Sequence, residues 1–318
     1  MIDKTLLRLS VSPVCNLRCC YCPPTMENRA PERFDNLSTS QVVQFLQDAS
    51  ESGVRGVSLT GGEPWLRNDL IDLVEQIRSI GVLTRIEITT NGTANEPDSI
   101  PAIVMAGITH AKVSLDTLDP RRYEFITKRP LHSKVLENLA AYKAAGVPTS
   151  INCVLAKSTL PEIPHLLKFA INHGYNLSLL DLVYDSQTHD FWVSEYCPAT
   201  IAEDIVGRTI GQEGKSFDRF GCRTTEYSVA GITVHIKDST RTMRSERCRQ
   251  CKEYCQEGLF SLRLSTSGWL TSCPNVIAEN GISTKDSKSN LGLFLEKMAL
   301  EFSSAICTDS FGRFSSLL

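Results

Sequence analysis

The sequence has no run of about 18 uncharged apolar residues, the length at which a membrane-spanning helix becomes a candidate. Residues 1–8 contain no apolar stretch of the kind found in secretion signals. The formal net charge is −3 at pH 7, so the chain also lacks the basic excess of general nucleic-acid and membrane-surface binders. We therefore predict a soluble, cytoplasmic protein with no membrane partner and no general nucleic-acid binding.

Histidine is scarce, with 6 residues in the chain, and none stands at the paired spacing of a metal site. The carboxylates of Asp181 and Glu195 have no visible partner in the sequence either. We therefore predict no histidine metal site, and the sequence identifies no catalytic acid or base.

Cysteine is the exception, with 12 residues. A disulfide framework is typical of small secreted domains, whereas this chain has 318 residues of which 42% are hydrophobic. In a large protein of a reducing compartment, clustered cysteines are more often metal ligands or reactive thiols. Two clusters are present: Cys15, Cys19 and Cys22, and then Cys248, Cys251, Cys255 and Cys273. We interpret the other five as small core or loop residues.

The first cluster follows the alternating apolar segment Leu6–Ser12, which is a predicted strand. Its spacing, C-x3-C-x2-C, allows three thiolates to converge from one loop, and soft thiolates select iron–sulfur clusters, zinc or copper(I). Three cysteines would leave one iron of a four-iron cluster open for chemistry. The spacing favours iron–sulfur, and a structural zinc site is the alternative.

Strand-like and helix-like patterns alternate through the first 183 residues. Six strands are predicted, at residues 6–12, 54–60, 83–90, 110–116, 149–156 and 177–183, with helical patterns between them. Parallel strands need crossover helices, and six units are too few for a closed eight-stranded barrel. We therefore predict an α/β fold, a partial (β/α)6 barrel at residues 1–183. A connector at 184–225, with one helix around Ala199–Ile210, and a small, β-rich C-terminal region at 226–318 follow. Two hairpins are predicted in that region, at residues 227–234, with a turn at Ala230-Gly231, and at residues 262–271.

Polar and glycine residues stand where successive predicted strands end. The carboxyl ends of parallel strands meet at one edge of a sheet, which is where such folds bind ligands. Each of these motifs alone is consistent with an ordinary turn, but together they predict a binding site. The residues are Gly61, Gly62, Glu63, Thr90, Ser114 and Asn152.

Together with the cysteine motif, these segments resemble the radical S-adenosylmethionine (radical SAM) superfamily, and within it the GTP 3′,8-cyclases of molybdenum-cofactor biosynthesis. The resemblance covers about residues 6–274 and rests on specific motifs. They are Cys15-Asn16-Leu17-Arg18-Cys19-Cys20-Tyr21-Cys22, Leu59-Thr60-Gly61-Gly62-Glu63-Pro64, Thr89-Thr90-Asn91-Gly92, Ser114-Leu115-Asp116 and Ile151-Asn152-Cys153-Val154.

The resemblance implies a [4Fe–4S] cluster on Cys15, Cys19 and Cys22, with SAM on the open iron. Gly61, Gly62 and Glu63 would hold the SAM amino group, and Thr90, Ser114 and Asn152 its carboxylate and ribose. An electron from a donor such as flavodoxin or ferredoxin would cleave SAM to methionine and a 5′-deoxyadenosyl radical, which takes hydrogen from the substrate.

The second cluster is compatible by spacing with either zinc or iron–sulfur. The resemblance favours an auxiliary [4Fe–4S] cluster on Cys248, Cys251, Cys255 and Cys273. The cyclases carry three cysteines in this region, so the presence of a fourth cysteine in this chain departs from the cyclase pattern. Three ligands would leave an iron free for substrate, whereas four would close the cluster as an electron relay.

The resemblance also identifies candidate substrate residues. Arg8 and Arg263 match nucleotide-facing positions of the cyclases, and Arg244 belongs to a basic run that could supply further cations. Three basic positions of the cyclases are uncharged here, as Asn68, Ser150 and Ser178. Because a triphosphate needs several cations, we expect a substrate other than GTP.

We therefore expect a radical SAM enzyme that acts on a small molecule or a short peptide in a biosynthetic pathway. Three alternatives stay open: GTP 3′,8-cyclase itself, a peptide-modifying maturase, and a non-catalytic iron–sulfur or zinc protein.

We predict that Cys19→Ala abolishes SAM cleavage, because it removes one of three thiolates from the first cluster. Anaerobic reconstitution followed by chromatographic detection of 5′-deoxyadenosine measures this. Full cleavage by the variant would refute the assignment of the site.

Overall fold

The computed structural model describes residues 6–22, 36–218, 222–244, 248, 262–272, 281–304 and 306–309. Its first two-thirds alternate strands and helices. The strands are β1 (Leu6–Ser12), β2 (Gly56–Gly61), β3 (Arg85–Thr90), β4 (His110–Ser114), β5 (Thr149–Leu155) and β6 (Asn176–Asp181). The helices are α1 (Thr39–Glu51), α2 (Leu70–Ser79), α3 (Ile100–Ala106), α4 (Pro120–Thr127), α5 (His132–Ala144) and α6 (Ile163–His173).

The six strands pair in sequence order and are all parallel. Strands from residues 263–283 extend the sheet beyond β1, strands from residues 215–244 extend it beyond β6, and the sheet does not close on itself. The structure therefore confirms the predicted partial barrel. Closure would require β1 to pair with β6, but each of these two strands pairs instead with a strand from the C-terminal region.

The two faces of the sheet differ sharply. One face is apolar and packs on the helices through residues of one continuous core, which include Leu7, Leu9, Val57, Leu59, Ile86, Ile88, Val113, Ile151, Leu177 and Leu179. The alternating positions form the opposite face, here called the inner face. It carries Arg8, Ser10, Ser58, Thr60, Glu87, Thr89, Lys112, Ser114, Ser150, Asn152, Asn176 and Ser178. A packed barrel core is filled by branched apolar residues, so this polar inner face indicates a chamber for a ligand.

The rest of the chain contributes α7 (His189–Glu195), α8 (Ala199–Ile210), β7 (Lys215–Asp218), β8 (Cys222–Val229), β9 (Ile232–Arg244), β10 (Arg263–Leu264), β11 (Trp269–Thr271), β12 (Ile282–Ser283), α9 (Lys288–Ser304) and β13 (Ile306–Asp309). Strand β9 extends the barrel sheet beside β6, and β10 extends it beside β1. The predicted β8–β9 and β10–β11 hairpins are confirmed. The first turns at Ala230-Gly231, where both residues have positive φ, as a type I′ turn requires.

Helix α1 begins as its sequence predicts. The Ser38 side chain accepts from the backbone N–H of Gln41, and the Gln41 side chain accepts from the backbone N–H of Ser38, which together form a capping box. Helices α4, α7 and α9 were not predicted. The first two are only about two turns long, which leaves little periodicity to detect. Within the described residues, no helix is long and apolar enough to cross a membrane.

We predict that Leu73→Ala lowers the free energy of unfolding by about 2–5 kcal/mol, because Leu73 on α2 is fully buried against the sheet. Leu293→Ala on α9 is the matched control. That side chain is 64% exposed, so its loss should cost at most about 0.5 kcal/mol. Equilibrium denaturation measures both, and equal effects would contradict the described core.

Candidate functional site

The ends of β1 and β2 approach each other more closely than side chains would permit. The backbone N–H of Gly62 donates to Ser12 O at 2.8 Å, and that of Glu63 donates to Val14 O at 2.8 Å. A Cβ on Gly61 would lie 2.4 Å from Ser12 O, and one on Gly62 would lie 2.1 Å from Val14 O. Both glycines are therefore required for the loop after β2 to reach the backbone that leads into Cys15.

Glu63 connects this contact to the end of β3. Its carboxylate is fully buried and accepts from Thr90 Oγ1 at 2.7 Å, from Asn91 N at 2.7 Å and from Trp65 N at 3.2 Å. Burial raises the pKa of Glu63 to about 7, although these hydrogen bonds oppose the rise. Both oxygens thus already have partners within the chain, and the role of Glu63 and Thr90 toward SAM stays a prediction.

A hydrogen-bonded group of polar side chains supports the first half of the cysteine loop. Asn91 Nδ2 donates to Asn16 Oδ1 at 2.8 Å and lies 3.6 Å from the Cys15 sulfur. Thr93 Oγ1 donates to Asn91 Oδ1 at 2.7 Å and accepts from Asn16 Nδ2 at 2.8 Å. The loop after β3 therefore fixes the position of Cys15.

Asp116, just past β4, holds the second half of the loop. Its buried carboxylate accepts from Tyr21 OH at 2.9 Å and from the backbone N–H of Val154 at 2.8 Å. Burial raises its pKa to about 6. The end of α4 adds two backbone contacts, because Arg18 N donates to Thr127 O and Cys20 N to Ile126 O. One loop is thus held by the ends of four strands and one helix.

The three predicted cluster ligands lie on this loop, partly exposed. Burial raises the pKa of the Cys15 and Cys19 thiols, and the charge of the neighbouring Cys22 adds to both shifts. Cys19 and Cys22 border a cavity of about 740 Å³ between the loop and residues 184–191. Within the described part of the chain, no three cysteine, histidine or acidic side chains are arranged to hold a metal ion. Ligation by this set therefore stays a prediction, although thiolates supported in this way fit an iron–sulfur cluster.

The other predicted residues fall into three groups. Ser114 and Asn152 are register partners on the inner face of β4 and β5. Arg8 and Arg263 are register partners on β1 and β10, so the two arginines stand side by side on the inner face. Arg244 lies on a different strand from this pair, and its role toward the substrate stays a prediction. It is buried on β9, beyond the residues that pair with β6, and stands in register with Ile306.

Of the second cysteine set, only Cys248 belongs to the described residues, while Cys251, Cys255 and Cys273 lie outside them. Sequence reasoning missed Asn16, Asn91, Thr93 and Asp116 as supports of the loop. Asn91 and Asp116 stood inside the motifs, but their contacts join residues about 75 and 95 positions apart, which no local pattern reveals.

The barrel, the glycine-bordered cysteine loop and the polar chamber define a class of enzyme, and comparison with known proteins identifies it. A sequence profile of the radical SAM superfamily matches residues 9–170, about half of the chain. The chain therefore belongs to the radical SAM superfamily, whose enzymes use a [4Fe–4S] cluster and SAM.

Within the superfamily, the chain is similar to GTP 3′,8-cyclases. It is 37% identical over 180 residues to that of Streptomyces coelicolor, which covers 56% of this chain and 52% of that protein. It is 30% identical over 197 residues to the GTP 3′,8-cyclase of Synechococcus elongatus. That alignment covers 61% of this chain and 60% of that protein. A probable GTP 3′,8-cyclase of Methanothermobacter marburgensis is 33% identical over 222 residues. That alignment covers 66% of this chain and 71% of that protein. The chain thus spans roughly half to seven-tenths of these relatives.

Solved structures share the fold over more of the chain. Streptococcus suis SuiB bound to S-adenosylmethionine has a TM-score of 0.64 at 16% identity and covers 90% of this chain and 65% of that one. Native anSMEcpe with bound AdoMet has a TM-score of 0.54 at 13% identity. The match covers 93% of this chain and 84% of that one. At these identities the likeness concerns the fold alone.

We predict that Gly62→Ala lowers the iron bound after anaerobic reconstitution and abolishes SAM cleavage. Its Cβ would collide with Val14 O, which must move together with Cys15. Gly292→Ala on α9 is the control, because its nearest neighbouring atom would be 3.8 Å away. Iron content and 5′-deoxyadenosine formation equal to wild type in Gly62→Ala would show that the close approach is not needed.

Proposed function

We propose that this radical SAM enzyme acts on a purine nucleoside triphosphate, with GTP as the first candidate, in a reaction of the GTP 3′,8-cyclase type. The observation that carries the proposal is the in-register pair Arg8 and Arg263 on the inner face. Guanidinium groups recognise phosphate in bidentate fashion. The pair lies on the same face as Ser114 and Asn152, nearer the amino ends of the strands.

The expectation of a substrate other than GTP rested on three uncharged positions, Asn68, Ser150 and Ser178. The similarity to cyclases at 30–37% identity supports the cyclase alternative over an unspecified small molecule. The inner face, moreover, is not poor in cations, since Arg8, Lys112 and Arg263 all lie on it. We therefore give GTP precedence over the substrate class expected from the sequence.

The remaining site assignments belong to the same proposal. Cys15, Cys19 and Cys22 would hold the first cluster, and the glycine and polar residues at the strand ends would orient SAM. When bound, cluster and SAM together supply a 5′-deoxyadenosyl radical. The chain's own contribution is to hold substrate in the polar chamber and to limit the access of water. Cys248, Cys251, Cys255 and Cys273 would hold an auxiliary [4Fe–4S] cluster.

The division into residues 1–183, 184–225 and 226–318 also stays a proposal. So do a flavodoxin or ferredoxin as electron donor and a cytoplasmic location, where cysteines are kept reduced.

Peptide modification is the second candidate. The structure of SuiB bound to its precursor peptide SuiA covers 92% of this chain with a TM-score of 0.65, whereas the cyclase alignments cover 56–66%. The likeness in fold thus covers more of the chain than the cyclase alignments do, and at 92% it includes much of residues 226–318. GTP binding separates the two candidates.

We predict that the reconstituted enzyme binds about eight iron atoms, the content of two four-iron clusters, and converts GTP in the presence of SAM and reductant. Formation of 5′-deoxyadenosine with GTP unchanged would reject the substrate but not the enzyme class.

Arg8→Ala should raise the KM for GTP at least about tenfold, because a charged hydrogen bond to phosphate is lost. Arg208→Ala, whose side chain is 85% exposed on α8, is the control.

A further inference from the structure

An ion network surrounds the buried carboxylate of Glu87 on the inner face. Lys112 Nζ on β4 is 2.6 Å from Glu87 Oε2 on β3. The guanidinium of Arg85, at the start of β3, contacts the other oxygen, Glu87 Oε1. The Glu87 side chain is completely buried, and a buried charge persists only when it is paired. Burial raises the pKa of Glu87, but Lys112 and Arg85 outweigh it and hold the pKa below its usual value.

The sheet register determines where Lys112 points. Its neighbours on the strand, Ala111 and Val113, are buried in the apolar core beneath the helices. Lys112 therefore projects from the opposite face, into the chamber, two residues before Ser114. Its register partners are Thr89 on β3 and the uncharged Ser150 on β5.

Lys112 is anchored on one side only. Its side chain is 29% exposed, whereas that of its partner Glu87 is 0% exposed. An ammonium group has three donors, and the contact with Glu87 uses one. The contact with Glu87 thus holds the Lys112 ammonium in place, while part of the side chain stays exposed.

The charge balance indicates what this ammonium would bind. The network has one carboxylate and two cations, so it carries net positive charge. Arg8 and Arg263 add two cations on the same face. The nearby His110 adds none near neutral pH, because burial and Arg85 lower its pKa. On β1–β6 and β10, the described inner face therefore favours an anionic ligand.

We propose that Lys112 binds a phosphate group of the substrate, and that Glu87 is a positioning residue that fixes the Lys112 ammonium. The inference rests on the proposed function, in that a nucleoside triphosphate supplies the phosphate. It extends that function by adding a third cation, on a different strand, to the pair formed by Arg8 and Arg263.

The test measures binding of GTP and of inorganic triphosphate to the reconstituted, SAM-loaded enzyme. Lys112→Gln should weaken the binding of both at least about tenfold and leave SAM binding unchanged, while the melting temperature falls because the buried Glu87 carboxylate loses a partner. Lys168→Gln is the control, because it makes the same change on the exposed face of α6. Unchanged triphosphate binding by Lys112→Gln would overturn the proposal.

Glu87 is tested through its coupling to Lys112. Glu87→Gln should raise the KM for GTP with little change in kcat, and it should add no further loss when combined with Lys112→Gln. A purely structural role would instead give additive losses. The double variant removes both charges, so it leaves no buried carboxylate without its lysine. It therefore replaces Lys112→Gln in the binding test if the single variant does not fold.

The two proposals fail separately. If the wild type binds inorganic triphosphate but not GTP, the nucleotide assignment is wrong, and the loss of triphosphate binding in Lys112→Gln still decides the role of Lys112. If the wild type binds neither probe, the inference about Lys112 is overturned as well.

Discussion

The candidate site depends on a steric constraint, the close approach of the loop after β2 to the chain that leaves β1. Two hydrogen bonds of 2.8 Å join them, and Gly61 and Gly62 provide the space. From this junction the buried carboxylate of Glu63 reaches Thr90 and Asn91 after β3, and Asn91 in turn contacts Asn16 and Cys15. The cysteine loop is therefore positioned by a chain of contacts that begins where two backbones meet.

The parallel register makes a reaction chamber out of the same sheet. Side chains alternate along a strand, so the apolar residues that pack on the helices stand next to residues that face inward, and most of these are polar. An isolated charge in such an interior would be costly, and the structure meets this by pairing Glu87 with both Lys112 and Arg85. The chamber thereby keeps a cationic character in a chain whose net charge is −3.

The C-terminal region completes the chamber rather than standing apart from it. Strand β10 places Arg263 beside Arg8, and β9 extends the opposite edge beside β6. The edges left by the open barrel are thus covered by strands from the same chain, which also protects them from pairing with other molecules. SuiB and anSMEcpe match the fold over nine-tenths of the chain, whereas sequence similarity to the cyclases covers less.

The class of fold and the cysteine loop could be predicted from the sequence, because alternating strand and helix patterns and the C-x3-C-x2-C spacing are local properties of the chain. The sequence also predicted two hairpins and the α8 bounds of Ala199–Ile210 correctly. The tertiary structure was needed to show that Asp116 holds Tyr21, that Arg8 and Arg263 pair on neighbouring strands, and that Lys112 contacts the buried carboxylate of Glu87. The physical reason is that contacts between strands depend on register and on the face to which each side chain points, and a shift of one residue would reverse that face.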